Sequence, residues 1–450
     1  VYNEMKGAFS SPEDVLDRLI LNSLHPDTNY GFESGGDPED IPSLTYENYL
    51  NFHRRFYHPS NSYLYLYGDM DIAEKLEWLD REYLSKYDAI SPDSEIPCQE
   101  PFSARRELSS TYNIASTEEE EDNAYLALNF SVGEVTDLKL VTAFDILDYA
   151  LLSRPGAPLK QALLDAGIGK DIMGGFDAGI RQPMFSIVAK NANAEQKDMF
   201  LSVIEETLQK EAKKGLSEKT LLAAINSSEF RFREADFGSY PKGLIYGLDM
   251  LESWIYDEKL PFLMLEVLPV YAELRKEIGT GYFEDLIRTW LLENPFSTLV
   301  TVSPEKGLLE RKEEAQRERL SAYKESLSEE EIKGLIESTR ELKAYQDEPS
   351  PEEELEKIPM LRREDIEKKI RPLQNREGTI GGEPAVIHEM FTNGIAYIRL
   401  LFDTADLTEK ELPYAGLLPA VLGYMDTEGL SFTELSDEIN LYTGGIGGSL

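Results

Sequence analysis

Apolar positions along this chain recur with two periods, and the switches between them lay out its elements. Val1 and Met5 stand one helical turn apart in Val1-Tyr2-Asn3-Glu4-Met5-Lys6-Gly7-Ala8-Phe9. That segment reads as the last turns of a helix that begins upstream, with Gly7 as its stop. Ser11-Pro12-Glu13-Asp14 supplies a cap, a first-position proline and an acid three residues on, and Val15, Leu16, Leu19, Ile20 and Leu24 continue with helical spacing. Ser34-Gly35-Gly36-Asp37-Pro38 reads as a turn. Thr45 caps a helix through Tyr57 that the His58-Pro59 step ends. Over 62–67 Tyr63, Tyr65 and Tyr67 alternate with Leu64 and Leu66, the period of a strand, and 71–87 returns to helical spacing. Three prolines within 91–101 mark a boundary.

A second unit opens near Ser103. The five successive acids from Glu118 to Asp122 read as a solvated loop or hairpin tip. A strand at 124–132 and a helix at 137–152 follow, and Gly156-Ala157-Pro158 restarts a short helix to Ala166. Gly174-Gly175 and Gly179 read as turns ahead of a strand at 184–189. Asn193, with Gln196 three residues on, caps a long helix ended by Gly215 after Lys213-Lys214. Helices from Ser217 and over 282–292 precede a strand at 296–302 that closes the unit near Ser303. Pairs of helices between strands indicate the α+β class, an antiparallel-rich sheet with helices packed on one face.

From Pro304 the composition changes. Glu, Lys and Arg dominate 305–357, and Ser328-Glu329-Glu330-Glu331 is a capping box separating two helices of an exposed hairpin, which the breaker Asp347-Glu348-Pro349-Ser350-Pro351 ends. So charged a pair has little core of its own and leans on whatever flanks it. A third unit opens at Ile380. There 385–391 and 395–402 read as a hairpin around Thr392-Asn393-Gly394, followed by a helix at 412–425, and the chain stops mid-domain. Stretches 125–167 and 395–445 share one order: strand, acidic link, apolar helix, glycine-led short helix. That order reads as an internal duplication. The divisions are thus 1–92, 103–303, 304–372 and 380–450.

Composition narrows the function classes. The 450 residues have room for about three domains. The longest apolar run, 260–271, is broken by Glu266 and Pro269 and falls short of the ~20 residues that span a bilayer, so no membrane partner is expected. A single cysteine, Cys98, cannot close an intrachain disulfide, which points to a reducing, cytoplasmic setting. A formal charge of −39 excludes nucleic-acid backbones as partners and favours basic ligands, including Arg- and Lys-rich peptides.

Metal and nucleophile chemistry have little local support. The four histidines, His25, His53, His58 and His388, form no H-x-x-x-H, H-E-x-x-H or H-x-x-E-H pair that could bring two imidazoles to one ion. His53 and His58, five apart, lie on different helix faces and read as helix-end groups. The glycine pairs lack the context of a nucleotide loop, and the 84 acids make paired carboxylates uninformative. By composition alone Glu4 is a solvated surface acid.

Resemblance changes that reading. VYNEMKGAF, followed by SGGDPEDIPSLTYENYLNFHRRFYHPSNSYLYLYGD, resembles the insulinase/pitrilysin metallopeptidases, in the branch of presequence protease and falcilysin. In that branch the acid of the NEMKG segment is the third protein ligand of a catalytic zinc, beside two histidines of an H-x-x-E-H helix. The resemblance therefore implies Glu4 as a zinc ligand, with Asn3 and Lys6 as groups that could support it. It also implies repeated peptidase domains joined by a helical hairpin, enclosing a chamber in which unstructured peptides are cut. On that reading the chain is an internal fragment lacking the H-x-x-E-H helix. The regions 146–149 and 417–420, which carry no histidine, would be non-catalytic walls, and the fragment alone would be inactive. A non-catalytic, peptide-binding or scaffolding member of the superfamily is the alternative.

Overall fold

The computed structural model describes residues 1–370, 372 and 374–450, which form two compact units, Val1–Gly307 with Leu400–Leu450, and Leu308–Arg399.

The first unit is α+β. Helices α1 (Tyr2–Ala8), α2 (Pro12–Leu24), α3 (Tyr46–Phe56) and α4 (Ile72–Glu82) lead into strands β1 (Arg106–Ile114) and β2 (Ala124–Ser131). Then come α5 (Leu138–Asp148), α6 (Pro158–Asp165), β3 (Asp171–Asp177) and β4 (Met184–Ala192). Helices α7 (Lys197–Lys214), α8 (Glu218–Glu234), α9 (Lys242–Trp254), α10 (Leu268–Glu277) and α11 (Tyr282–Ile287) precede β5 (Ser297–Lys306). The strands form one sheet in the order β1-β5-β2-β4-β3, antiparallel except for the β1–β5 pair. The acid run 118–122 links β1 to β2 but is no hairpin tip, because β5 lies between those strands.

Alternate residues of the sheet serve two cores. Leu126, Leu128, Phe130, Phe185, Ile187 and Leu299 face the main core, with Phe144, Leu147, Phe200, Ile204, Leu221 and Phe283 of the helices. The other face is covered by α2, whose Leu16 and Ile20 pack on Tyr112, Tyr125, Ala127, Val300 and Val302. Every residue of β2 is buried for that reason.

Three local expectations are overturned here. Helix α1 ends at Phe9, and Gly7 lies inside it. Residues 62–67 form no strand; with no ladder partner among the described residues, the tyrosines pack instead on α9, Tyr63 against Trp254 and Tyr65 and Tyr67 against Gly247 and Gly243. Gly174 and Gly175 are no turn but the middle of β3, paired with Ile187 and Ser186. Their φ values of +114° and +146° explain the choice of residue, and a Cβ on Gly174 would run into the Ser186 carbonyl. Gly174→Ala is therefore expected to cost about 2 kcal/mol or more, whereas Gly167→Ala, also at positive φ (+68°) but in open space, should cost about 1 kcal/mol. Urea unfolding of both variants checks this; equal costs would refute the clash.

The second unit holds α12 (Leu308–Ser326) and α13 (Glu329–Asp347), joined at Ser328, where the capping box is formed with Glu331. After the short α14 (Glu352–Leu355), strands β6 (Asn375–Ile380) and β7 (Glu383–His388) make a two-stranded hairpin turned by Gly381-Gly382, both at positive φ. This replaces the expected pairing of 385–391 with 395–402. The Thr392-Asn393-Gly394 turn does form, with Asn393 and Gly394 at φ +53° and +84°, but 395–402 has no ladder partner among the described residues.

Back in the first unit, α15 (Leu412–Val421) and α16 (Phe432–Tyr442) complete the chain. Helix α16 lies on α8: Thr220 donates to Asp437 at 2.9 Å, Lys219 pairs with Glu438 at 2.6 Å, and Asn226 donates to the Leu441 carbonyl.

Candidate functional site

The stretches that carry the resemblance come together at the start of the first unit. Met5 of α1 packs its sulfur over Gly35, leaving no space for a Cβ there. Arg18 of α2 lays its guanidinium 4.5 Å from the centre of the Phe9 ring and pairs with Asp37. Helix α1 and the Ser34–Asp37 turn are thus clamped to α2, itself fixed by Leu16 and Ile20 in the sheet. On this clamped helix Glu4 is 82% exposed.

The histidines do not join it in a site. His53 stacks on Tyr57 within its own helix end. The His58 Nδ1 accepts from the Ser60 N–H at 3.1 Å, and its ring packs edge-on to Tyr87. His388 ends β7. His25 is 1% exposed among Tyr30 and Phe296, and neither ring nitrogen has a hydrogen-bond partner among the described residues. Burial pushes its pKa down to about 4, so it is neutral and structural. Among the described residues no three His, Cys, Asp or Glu side chains converge where an ion could be held. A catalytic zinc takes three protein ligands, and the described residues of this chain do not by themselves fit one.

Two features of the electrostatics lay beyond sequence reasoning. Asp177 at the end of β3 is near enough to repel both Asp17 of α2 and Glu252 of α9, and Asp249 of α9 repels Glu252 as well. Desolvation first, then Asp249 and Asp177, push Glu252 up to about 7. Three segments far apart in sequence meet around Asp177 in this way, and no spacing rule could have found it. Asp148, at the end of α5, is raised to about 6 chiefly by burial, while Ser153 donates to it at 2.7 Å. It lies under Gly175, where a Cβ would press on the carboxylate. Residues 146–149 present two fully buried apolar side chains, Ile146 and Leu147, and this acid.

Comparison with known families agrees with the sequence resemblance. A model described as "Peptidase M16 inactive domain" matches residues 43–228, and a second, for the domain associated with subfamily C of the same peptidases, matches residues 302–450. The chain belongs to the M16 peptidase family. It is similar to Protein HypA of Clostridium perfringens (42% identity over 446 residues, 99% of this chain and 46% of that protein). It is also similar to presequence protease 1, chloroplastic/mitochondrial, of Arabidopsis thaliana (34% identity, 99% of this chain and 42% of that protein). The chain thus spans under half the length of these relatives. Among solved structures, an M16 inactive domain from Pseudomonas fluorescens aligns with 68% of this chain and 69% of its own, at 17% identity and a TM-score of 0.49. Among the described residues no helix is long and apolar enough to cross a membrane.

Proposed function

We propose that this chain is the central part of a zinc-dependent endopeptidase that degrades unstructured peptides in an enclosed chamber. The observation that carries the reading is Glu4. Its carboxylate projects into solvent from a helix clamped by Met5–Gly35 and Arg18–Asp37, within the segment most like the presequence-protease branch. Glu4 is one ligand of the zinc, and the remaining ligands and the water-activating base come from an H-x-x-E-H helix of the full-length protein. Bound there, zinc supplies Lewis-acid activation of the attacking water. Residues 1–92 end the zinc-bearing domain, 103–303 are a non-catalytic peptidase-like domain, 304–372 the linker and 380–450 the opening of a third domain. The carboxylates gathered around Asp177, with the −39 charge, support basic peptides as substrates. The lone Cys98 supports a reducing, cytoplasmic setting.

Two measurements test this reading. The 450-residue chain alone is expected to retain no stoichiometric zinc after dialysis and to cleave no unstructured peptide; stoichiometric zinc together with hydrolysis would refute the division of the site. In the full-length protein, Glu4→Gln is expected to lower zinc affinity by at least about tenfold and activity with it. Unchanged zinc content would select the alternative, a peptide-binding or scaffolding member of the family.

A further inference from the structure

The hairpin of α12 and α13 carries an apolar groove of about 430 Å³, lined by Tyr323, Leu327, Ile332, Leu335, Ile336 and Thr339. Leu335 and Ile336 are about half exposed, at 50% and 48%, and Tyr323 is 57% exposed. These side chains sit at helical spacing on facing sides of the two helices, and the Ser328–Glu331 capping box fixes the connection between them. The groove is built before anything occupies it.

Its rim inverts the charge of the protein. The remaining lining residues are Lys324, Arg340 and Lys343, with no acid among them, in a chain with 84 acids against 45 bases. Arg340 pairs only with its exposed neighbour Glu337, at 3.3 Å, and Lys324 and Lys343 enter no ion pair among the described residues. An apolar trough between cations is complementary to an apolar stripe between carboxylates. Along α13 the lining runs from Ile332 to Lys343, about three helical turns, the length over which one helix can seat i, i+3, i+4 and i+7 anchors.

We infer that the α12–α13 groove is a docking site for a partner amphipathic α-helix whose apolar stripe is flanked by Glu or Asp. Leucine-type anchors of that helix fill the space over Leu335 and Ile336, and its carboxylates meet Lys324, Arg340 and Lys343. The pairing sets orientation and on-rate, while apolar burial supplies most of the affinity. A basic peptide of the kind proposed as substrate would be repelled here, so the groove is independent of the proposed peptidase site.

The test uses the 450-residue chain and two fluorescent helix-forming peptides of about 14 residues, about four turns. Both have leucines at i, i+3, i+4 and i+7; one is flanked by Glu and the other by Lys. The Glu-flanked peptide is expected to bind, to slow amide exchange over 323–343, and to weaken about tenfold with K324E/K343E or at raised salt. Leu335→Asp/Ile336→Asp, whose exposed positions leave the fold intact, is expected to abolish binding. The inference is overturned if the Lys-flanked peptide binds as tightly, if protection falls outside the hairpin, or if neither peptide binds. It is equally overturned if the chain alone dimerises through this face and K324E/K343E dissolves the dimer.

Discussion

Lowering the pH from 7 to 4 is expected to remove about 3 kcal/mol of stability through one side chain, His25. Its ring is 1% exposed, edge-on to Tyr30 and Phe296, with no partner for either nitrogen among the described residues. The folded pKa of about 4 lies below the unfolded 6.5, so the folded state binds fewer protons. The contribution is complete above pH 6.5, falls by about 2 kcal/mol by pH 5, and is lost as pH approaches 4. Asp148 and Glu252 act in the opposite sense. Their folded pKa values, about 6 and about 7, are raised above the unfolded carboxylate range, so their burial favours the folded state more at low pH than at neutral pH. The comparison that isolates the histidine is therefore between the natural chain and His25→Leu, a change of similar volume that also removes two unpartnered nitrogens. Urea unfolding at pH 7, 5.5 and 4 should show the variant at least as stable at neutral pH and progressively more stable than the natural chain on acidification. Parallel pH profiles would refute this account.

Phe144→Ala should destabilise the first unit by about 3–5 kcal/mol. Phe144 is fully buried on α5, where the helix layer meets the sheet, and its ring centre lies 5.4 Å from that of Phe176 on β3 and 6.2 Å from that of Phe185 on β4. Removing it opens a cavity at the centre of the main core and breaks two aromatic pairs, each worth about 0.5–1.5 kcal/mol beyond area burial. Phe144→Leu should cost well under half as much, because most of the volume stays. Phe391, which is 92% exposed, provides the control: its replacement by Ala should stay within about 0.5 kcal/mol. The unfolding midpoint at unchanged denaturant slope reports the difference. A loss below about 1 kcal/mol for Phe144→Ala would mean that α5 is not seated on the sheet as described.

Elements whose signals are local were legible in the chain. The caps expected at Thr45 and Ser328 form, and α3 and α13 begin where they place them, while Asn193 opens a single 3-10 turn that runs into α7. Gly215 ends α7 at φ +87°. A cap is settled between residues three apart, and nothing distant overrules it. Strands depend on partners. The alternation at 62–67 and 395–402 is strand-like, yet neither stretch has a ladder among the described residues, and β1 went unread because its partner β5 lies far along the chain beyond seven intervening helices. Gly174 and Gly175 misled for a related reason: glycine signals a turn in isolation, but here it admits a φ that lets β3 follow β4 past the Ser186 carbonyl.

The candidate site divides along the same line. The sequence by itself determined the family, the helix that carries Glu4, and the absence of a paired-histidine motif in this chain, because these are matters of residue identity and short spacing. Only the tertiary structure decided that Met5 and Arg18 clamp that helix, that His25 is buried and neutral, and that Asp177 lies near both Asp17 and Glu252. Burial and the distance between charges are set by segments that folding alone brings together, and a carboxylate's chemistry follows from both.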